Sequence, residues 1–268
     1  MKLQLFYLLF VSSLSFYSCA QGTNDPNIVF KDEKGNIISK SDLKNTTGQV
    51  NWELMGEKTI PQKAMKLHEE ARRLGSQGQY QESIQKLLKA HKIAPNWAYP
   101  VYDLAYTYLL QKDFENALQY YALTNEIEPK GFFTAKTAYW SLQKEKEGLF
   151  PQGLYLAFMS LEWTDSDAEK IQMAQGIVEQ FPAYAPAWQL LGSKLDNAEE
   201  RLAAIEKGLA IEADQETTGI LLINKAIVED MLGHSDVAKE ILGKVVFDEN
   251  ATISNVELAK YVLASLVE

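Results

Sequence analysis

Apolar positions across residues 64–131 recur at two scales. At the short scale they fall three, four and seven apart: Leu67, Ala71 and Leu74; Ile84, Leu87, Leu88 and Ala90; Val101, Leu104, Ala105 and Tyr108; Leu118, Tyr121 and Ala122. Residues so spaced line one face of an α-helix, so the pattern predicts four helices, each with a stripe to bury. At the longer scale, residues 64–97 overlie residues 98–131. Ala71 falls on Ala105, Leu74 on Tyr108, Tyr80 on Phe114, Ser83 on Ala117, Leu87 on Tyr121, Ala90 on Thr124, Ile93 on Ile127 and Pro95 on Pro129. The small residues Ala71 with Ser83, and Ala105 with Ala117, let paired helices approach closely. Leu74 with Leu87, and Tyr108 with Tyr121, are expected to fill the space beside them. Pro95 and Pro129 close the second helices, because proline lacks the donor and clashes with the preceding turn. One such pair cannot bury its own apolar face, so neighbours must stack.

This period and order of features resemble the tetratricopeptide (TPR) repeat, a helix, a tight turn, a second helix and a proline. The resemblance implies an all-α fold, a right-handed α-solenoid of TPR helix hairpins, with two well-formed repeats at 64–131. After Pro129 the pattern drifts. Residues 132–146 begin like a third first helix, with Ala135, Ala138 and Leu142, and Glu147-Gly148-Leu149-Phe150-Pro151 breaks it. Residues 154–163 and 168–181 read as two further helices, the second closed by Pro182. Residues 132–182 therefore form a divergent helical segment, one period plus about one extra helix. Residues 183–250 return to the period as two weaker repeats. Trp188, Leu191, Gly192 and Leu195 match a first helix and Ala204 a second, and Leu222, Ala226 and Ala238 follow one period on. Gly208 and Glu229 stand where bulky residues are expected, and Glu216 and Asn250 where prolines are. Residues 251–268 carry Val256, Ala259, Lys260, Leu263 and Leu266 at the spacing of a capping helix.

The first 60 residues are different material. Residues 1–19 read as a signal peptide: Met1-Lys2, then an apolar run from Leu3 to Phe16 too short to span a bilayer comfortably. Phe16-Tyr17-Ser18-Cys19 resembles a bacterial lipobox, with Phe16 departing from the usual leucine. The resemblance implies lipidation of Cys19, the only cysteine in the chain. The alternative is cleavage after Ala20, where Ser18 and Ala20 fit a small-x-small site and release a soluble protein. Either way the mature protein is expected to leave the cytoplasm, lipid-anchored in the cell envelope at Cys19 or, after cleavage at Ala20, soluble in the periplasm or secreted. Membrane contact is expected only through the N-terminal lipid where one is present. One cysteine allows no internal disulfide. Residues 20–60 are expected to hold a tether at 22–27 and a β-hairpin, Ile28-Val29-Phe30 against Ile37-Ile38. A helical turn from Ser41 and the docking of Trp52, Leu54 and Met55 are also expected. The hairpin is expected to lean on the first repeat, since alone it is marginal in water.

Composition narrows the function. The 268 residues carry a net charge of -10, with a pI of about 5.0. That balance argues against nucleic acid or anionic lipid as the main partner. His68, His91 and His234 lack metal-ligand spacing. Residues 164–169 alternate acids without a calcium-loop glycine or closing glutamate, so Asp165 or Asp167 is expected to cap a helix instead. Nucleophile-elbow, phosphate-loop and dinucleotide-binding motifs are absent. No enzyme, cofactor or metal site is expected.

In TPR proteins the exposed side of each first helix carries ligand contacts. Carried onto this chain, those positions are Met65, His68 and Arg72, then Tyr99, Tyr102, Tyr106 and Leu110, then Phe133, Lys136, Trp140 and Lys144, with Tyr155 and Met159 continuing the row. Tyr99, Tyr102 and Tyr106 lie three and four apart, so they project from one helical face. That face is expected to be distinct from the packed one. With Arg72, Lys136 and Trp140 the tyrosines make the candidate partner-binding set, and aromatics give large contact area at low entropic cost. The lysine and asparagine of the chaperone-tail clamp are missing: His68, Arg72, Asp103, Phe133 and Thr137 stand there. The expected function is a non-enzymatic scaffold binding a protein or peptide. The alternative is a glycan-binding envelope lipoprotein whose aromatic row stacks on sugars.

Overall fold

The computed structural model describes residues 28–31, 37–38, 51–54 and 60–266, with side chains from residue 60 onward. The leader, Cys19, the tether and the turn at Ser41 lie outside the described residues. Contacts divide the chain into two compact units, residues 57–160 and residues 1–56 with 161–268.

The first unit holds α1 (Gln62–Ser76), α2 (Tyr80–Ile93), α3 (Ala98–Leu110), α4 (Phe114–Ile127), α5 (Ala135–Lys146) and α6 (Leu154–Met159). Helices α1 and α2 form one hairpin, α3 and α4 the next; α2 packs on α3 and α4 on α5. The unit is a run of helix hairpins, each packed on the next in chain order. Ala71, Ser83, Ala105 and Ala117 are all buried where the paired helices approach. Ser83 Oγ donates to the carbonyl of Ala71 at 2.8 Å, so the small polar residue locks α2 to α1 without opening the core. Gly78, in the α1–α2 turn, has φ 73°, and Lys112 takes the same left-handed backbone at φ 60° in the α3–α4 turn. A residue with a Cβ is strained there by about 1–2 kcal/mol.

Two expectations change in this unit. Tyr108 does not fill space with Tyr121; it stacks on Tyr120 at 5.5 Å and 4°. Tyr121 is fully buried and meets Tyr102 and Tyr155 edge-on instead. The apolar stretch 154–163 is not one helix. It is α6 followed by a tight 3₁₀ turn, Ser160–Trp163, where Ser160 Oγ donates to the Ala157 carbonyl at 2.6 Å. A side chain bonding back to the turn competes with the helix ladder.

The second unit holds β1 (Ile28–Lys31), β2 (Ile37–Ile38) and β3 (Asn51–Leu54), then α7 (Asp167–Gln180), α8 (Ala185–Lys194), α9 (Ala198–Leu209), α10 (Gln215–Met231), α11 (Ser235–Phe247) and α12 (Ile253–Ser265). Strands β1 and β2 pair antiparallel, Phe30 opposite Ile38, so the hairpin forms. A third strand goes beyond the expected hairpin: β3 pairs with the other edge of β1, Ile28 opposite Leu54. Helix α7 packs on α8, and α8/α9 and α10/α11 form hairpins. Helix α12 closes on α10 and α11, with Ala259 and Val262 in their core.

Glycine governs this packing. A Cβ on Gly192 would lie 2.3 Å from Ile205 Cγ1, and one on Gly219 would lie 2.0 Å from Asn255 Nδ2. Asn255 uses that space to donate to the carbonyls of Gln215 and Glu216 at 3.2 and 3.0 Å, pinning α12 to the start of α10. Neither Asp165 nor Asp167 caps α7. Ser166 does, accepting from the Glu169 amide at 3.3 Å, while Asp167 pairs with Lys194 at 2.8 Å.

Candidate recognition surface on the first helices

The stripe Tyr99, Tyr102, Asp103, Tyr106 runs along α3, and the residues flanking it close an aromatic cluster. Trp97 sits at the N-cap of α3 and Phe132 and Phe133 precede α5. Tyr99 meets Trp97 at 6.0 Å, Phe132 at 4.9 Å and Phe133 at 5.6 Å between ring centroids. Tyr102 meets Phe132 at 5.7 Å and Phe133 at 5.2 Å. Most of these contacts are edge-to-face, the arrangement ring quadrupoles favour. The Tyr102 and Thr134 hydroxyls share a hydrogen bond of 2.9 Å. Phe133 holds its place at φ 47°, a backbone that bulky residues rarely adopt and that marks a position held by its surroundings.

Polar groups close one end. His68 is buried, and its Nε2 donates to Asp103 Oδ2 at 2.8 Å. Its ring also meets Trp97 at 5.0 Å and Tyr99 at 5.9 Å. The same Asp103 oxygen lies 3.9 Å from Arg72 Nε, too far for a hydrogen bond. Arg72 stays 69% exposed in its side chain, so its guanidinium faces solvent beside the rings.

The candidate residues therefore divide. Arg72, Tyr99 and Tyr102 come together. Tyr99 is 39% exposed and Met65 beside it in the row 46%. Tyr102 and Tyr106 are half-buried and pack against the core of Ala105, Leu109, Tyr121 and Tyr155, so the tyrosine face and the packed face are not separate. Trp140 meets Phe150 at 5.8 Å between ring centroids. Lys136 is half-buried in the first turn of α5. Tyr155 and Met159 do not extend the row; both are core residues, 0% and 3% exposed. Trp97, Phe132 and the His68–Asp103 pairing are what sequence reasoning does not supply. Asp103 is legible as part of the α3 stripe; the rings of Trp97 and Phe132 sit in loops, where helical spacing gives no guidance.

Near the end of α5, Glu145 is buried and accepts from the amides of Gly153 and Tyr155 at 2.8 and 2.6 Å. Burial raises its carboxyl above the ordinary range, opposed by those two bonds. It anchors the break 147–153 and starts α6. Among the described residues, no group of three or more His, Cys, Asp or Glu side chains could hold a metal ion. No described helix is long and apolar enough to cross a membrane.

No family model matches the chain, and no curated protein matches it. Among solved structures it is similar to MamA (residues 41 to the end) from Desulfovibrio magneticus RS-1, at 16% identity over 69% of this chain and 94% of that one, with a TM-score of 0.33. It is also similar to TTC0263, a thermophilic TPR protein in Thermus thermophilus, at 15% identity over 76% of this chain and 98% of that one, with a TM-score of 0.34.

Proposed function

We propose that this chain is a non-enzymatic helical-repeat scaffold that binds a protein or peptide on the Arg72–Tyr99–Tyr102 surface of α1 and α3. The observation that carries the reading is the exposed Tyr99 ring, held by four aromatic neighbours beside an exposed guanidinium. Rigid aromatic and arginine anchors are what binding hot spots are made of. The strained backbone at Phe133 supports the same reading, because strain is kept where surroundings over-determine it. Tyr106, Lys136 and Trp140 border the surface rather than form its centre. The edge-to-face interlocking of the rings favours a polypeptide over a sugar, since stacking on a sugar needs an open flat face.

The test replaces the two exposed anchors together, Arg72→Ala and Tyr99→Ala, and measures capture of a co-purifying partner by the full chain. Loss of capture with unchanged helical content supports the surface; unchanged capture refutes it.

The location in the cell envelope is part of the proposal and rests on the leader-like start and Cys19 alone. Metabolic labelling with a fatty acid tests it. Label that disappears in Cys19→Ser supports the anchor, and an unlabelled chain contradicts it.

A further inference from the structure

Among the described residues, three methionines are exposed to a similar degree: Met65 at 46%, Met173 at 38% and Met231 at 45%. Access by a small oxidant therefore does not separate them; the group that meets each sulfur does. Met231 ends α10, and its Sδ accepts from Arg201 Nη1 at 3.4 Å. Arg201, on α9, is only 3% exposed, and its Nε donates to the Gly192 carbonyl near the end of α8 at 2.9 Å. One buried guanidinium thus bridges three helices, with a thioether as its acceptor on α10. Met173 Sδ meets a neutral donor instead, the Thr164 hydroxyl, at the long distance of 3.9 Å. A thioether is a weak acceptor for a fixed cation, whereas a sulfoxide oxygen is polar and accepts well.

We propose that Met231 is an oxidation site for hydrogen peroxide, and that its sulfoxide tightens the join of α8, α9 and α10. The Sδ lone pair attacks one peroxide oxygen and the O–O bond breaks. That oxygen stays on sulfur, its proton passes to the departing hydroxide, and water leaves. Sulfur is oxidised by two electrons and the peroxide is reduced by two. The methionine side chain has three rotatable bonds, so the new oxygen can turn onto Arg201 Nη1. A weak N–H···S contact becomes a charge-assisted N–H···O bond from a buried donor, where such bonds are strong. Sulfoxidation ordinarily disrupts the packing it enters. Here the sign reverses, because the cation that receives the oxygen is already in place. A methionine sulfoxide reductase returns the thioether, so the change is reversible. This proposal does not depend on the surface of α1 and α3.

The test uses the full chain carrying Met65→Leu and Met173→Leu, both at exposed positions, with and without Met231→Leu. Peptide mass spectrometry follows sulfoxide at position 231 as hydrogen peroxide is raised, and urea melts read stability before and after. Met231 should be converted while the fold is intact. The urea midpoint should then rise, corresponding to an unfolding constant about tenfold lower. The chain with Met231→Leu should show no such rise, and a sulfoxide reductase should undo it. A Met231 that stays reduced in the folded chain overturns the proposal. So does a sulfoxide at 231 that lowers the midpoint or leaves it unchanged, or a rise that persists in Met231→Leu.

Discussion

The hairpins of residues 57–160 and those of residues 161–268 solve one packing problem with opposite materials. In the first unit the space between and beside helices is filled by rings. Tyr121 and Tyr155 are sealed in the core, Tyr102 and Tyr106 straddle its edge, and Tyr99 emerges. In the second unit helices close on glycine, at Gly192 against Ile205, Gly208 against Leu221 and Gly219 against Asn255. A ring that packs through one edge still has another to offer, so aromatic packing leaves recognition chemistry at the surface. Glycine packing consumes its contact in holding the fold. The contrast fits the proposal that partner binding falls to the first unit, with the second given to tightly fitted structure.

Four substitutions, from the largest expected effect to the smallest, break or sharpen that contrast. Gly219→Leu should be the most damaging, since its side chain cannot coexist with Asn255. A cost of about 3 kcal/mol is expected, with faster amide exchange in α12, read by denaturant melts and hydrogen exchange. Glu145→Ala removes the acceptor of two buried amides in the aromatic unit and should cost about 2–3 kcal/mol, with α6 lost first.

Glu162, in the second unit, is pushed up to about 7 by burial, with Lys170 opposing. Its folded value lies above its unfolded one, so its contribution is fully present below about pH 4.5 and is lost as pH rises toward 7. Glu162→Gln should flatten that part of the stability–pH curve, giving a gain of about 1–2 kcal/mol at pH 8. A curve that keeps its slope would contradict the burial. The smallest effect is expected at Lys112, whose left-handed backbone suits glycine. Lys112→Gly should stabilise by about 0.5–1 kcal/mol, a few degrees in melting temperature.

Much of the fold can be read from spacing alone. The matched positions of 64–131 carry helix period, small-residue contact and closing proline at once, and local and global signals agree there. The β1–β2 pairing is legible because two short apolar runs, Ile28-Val29-Phe30 and Ile37-Ile38, flank a glycine-containing turn. What spacing does not reach is long-range or conformational. Strand β3 is short and ordinary in sequence, and its partner β1 lies well upstream. The 3₁₀ turn at Ser160–Trp163 reflects a serine bonding to its own backbone inside an apolar run. Tyr155 shares the aromatic character of Tyr99, and only the fold shows that it is sealed within. Of the candidate surface, the α3 stripe and Arg72 are readable. The loop rings are not, because Trp97 and Phe132 are brought in by turns rather than by helical period.

The central claim is that the exposed edge of the aromatic cluster, and not the glycine-packed unit, meets the partner. A photo-cross-linking amino acid in place of Tyr99 in the native host, compared with one in place of Lys225 on α10, tests it directly. Mass spectrometry should find one discrete protein attached at position 99, lost when Arg72→Ala is added, and nothing comparable at position 225. Equal labelling at both positions, or an adduct indifferent to Arg72→Ala, would contradict the account.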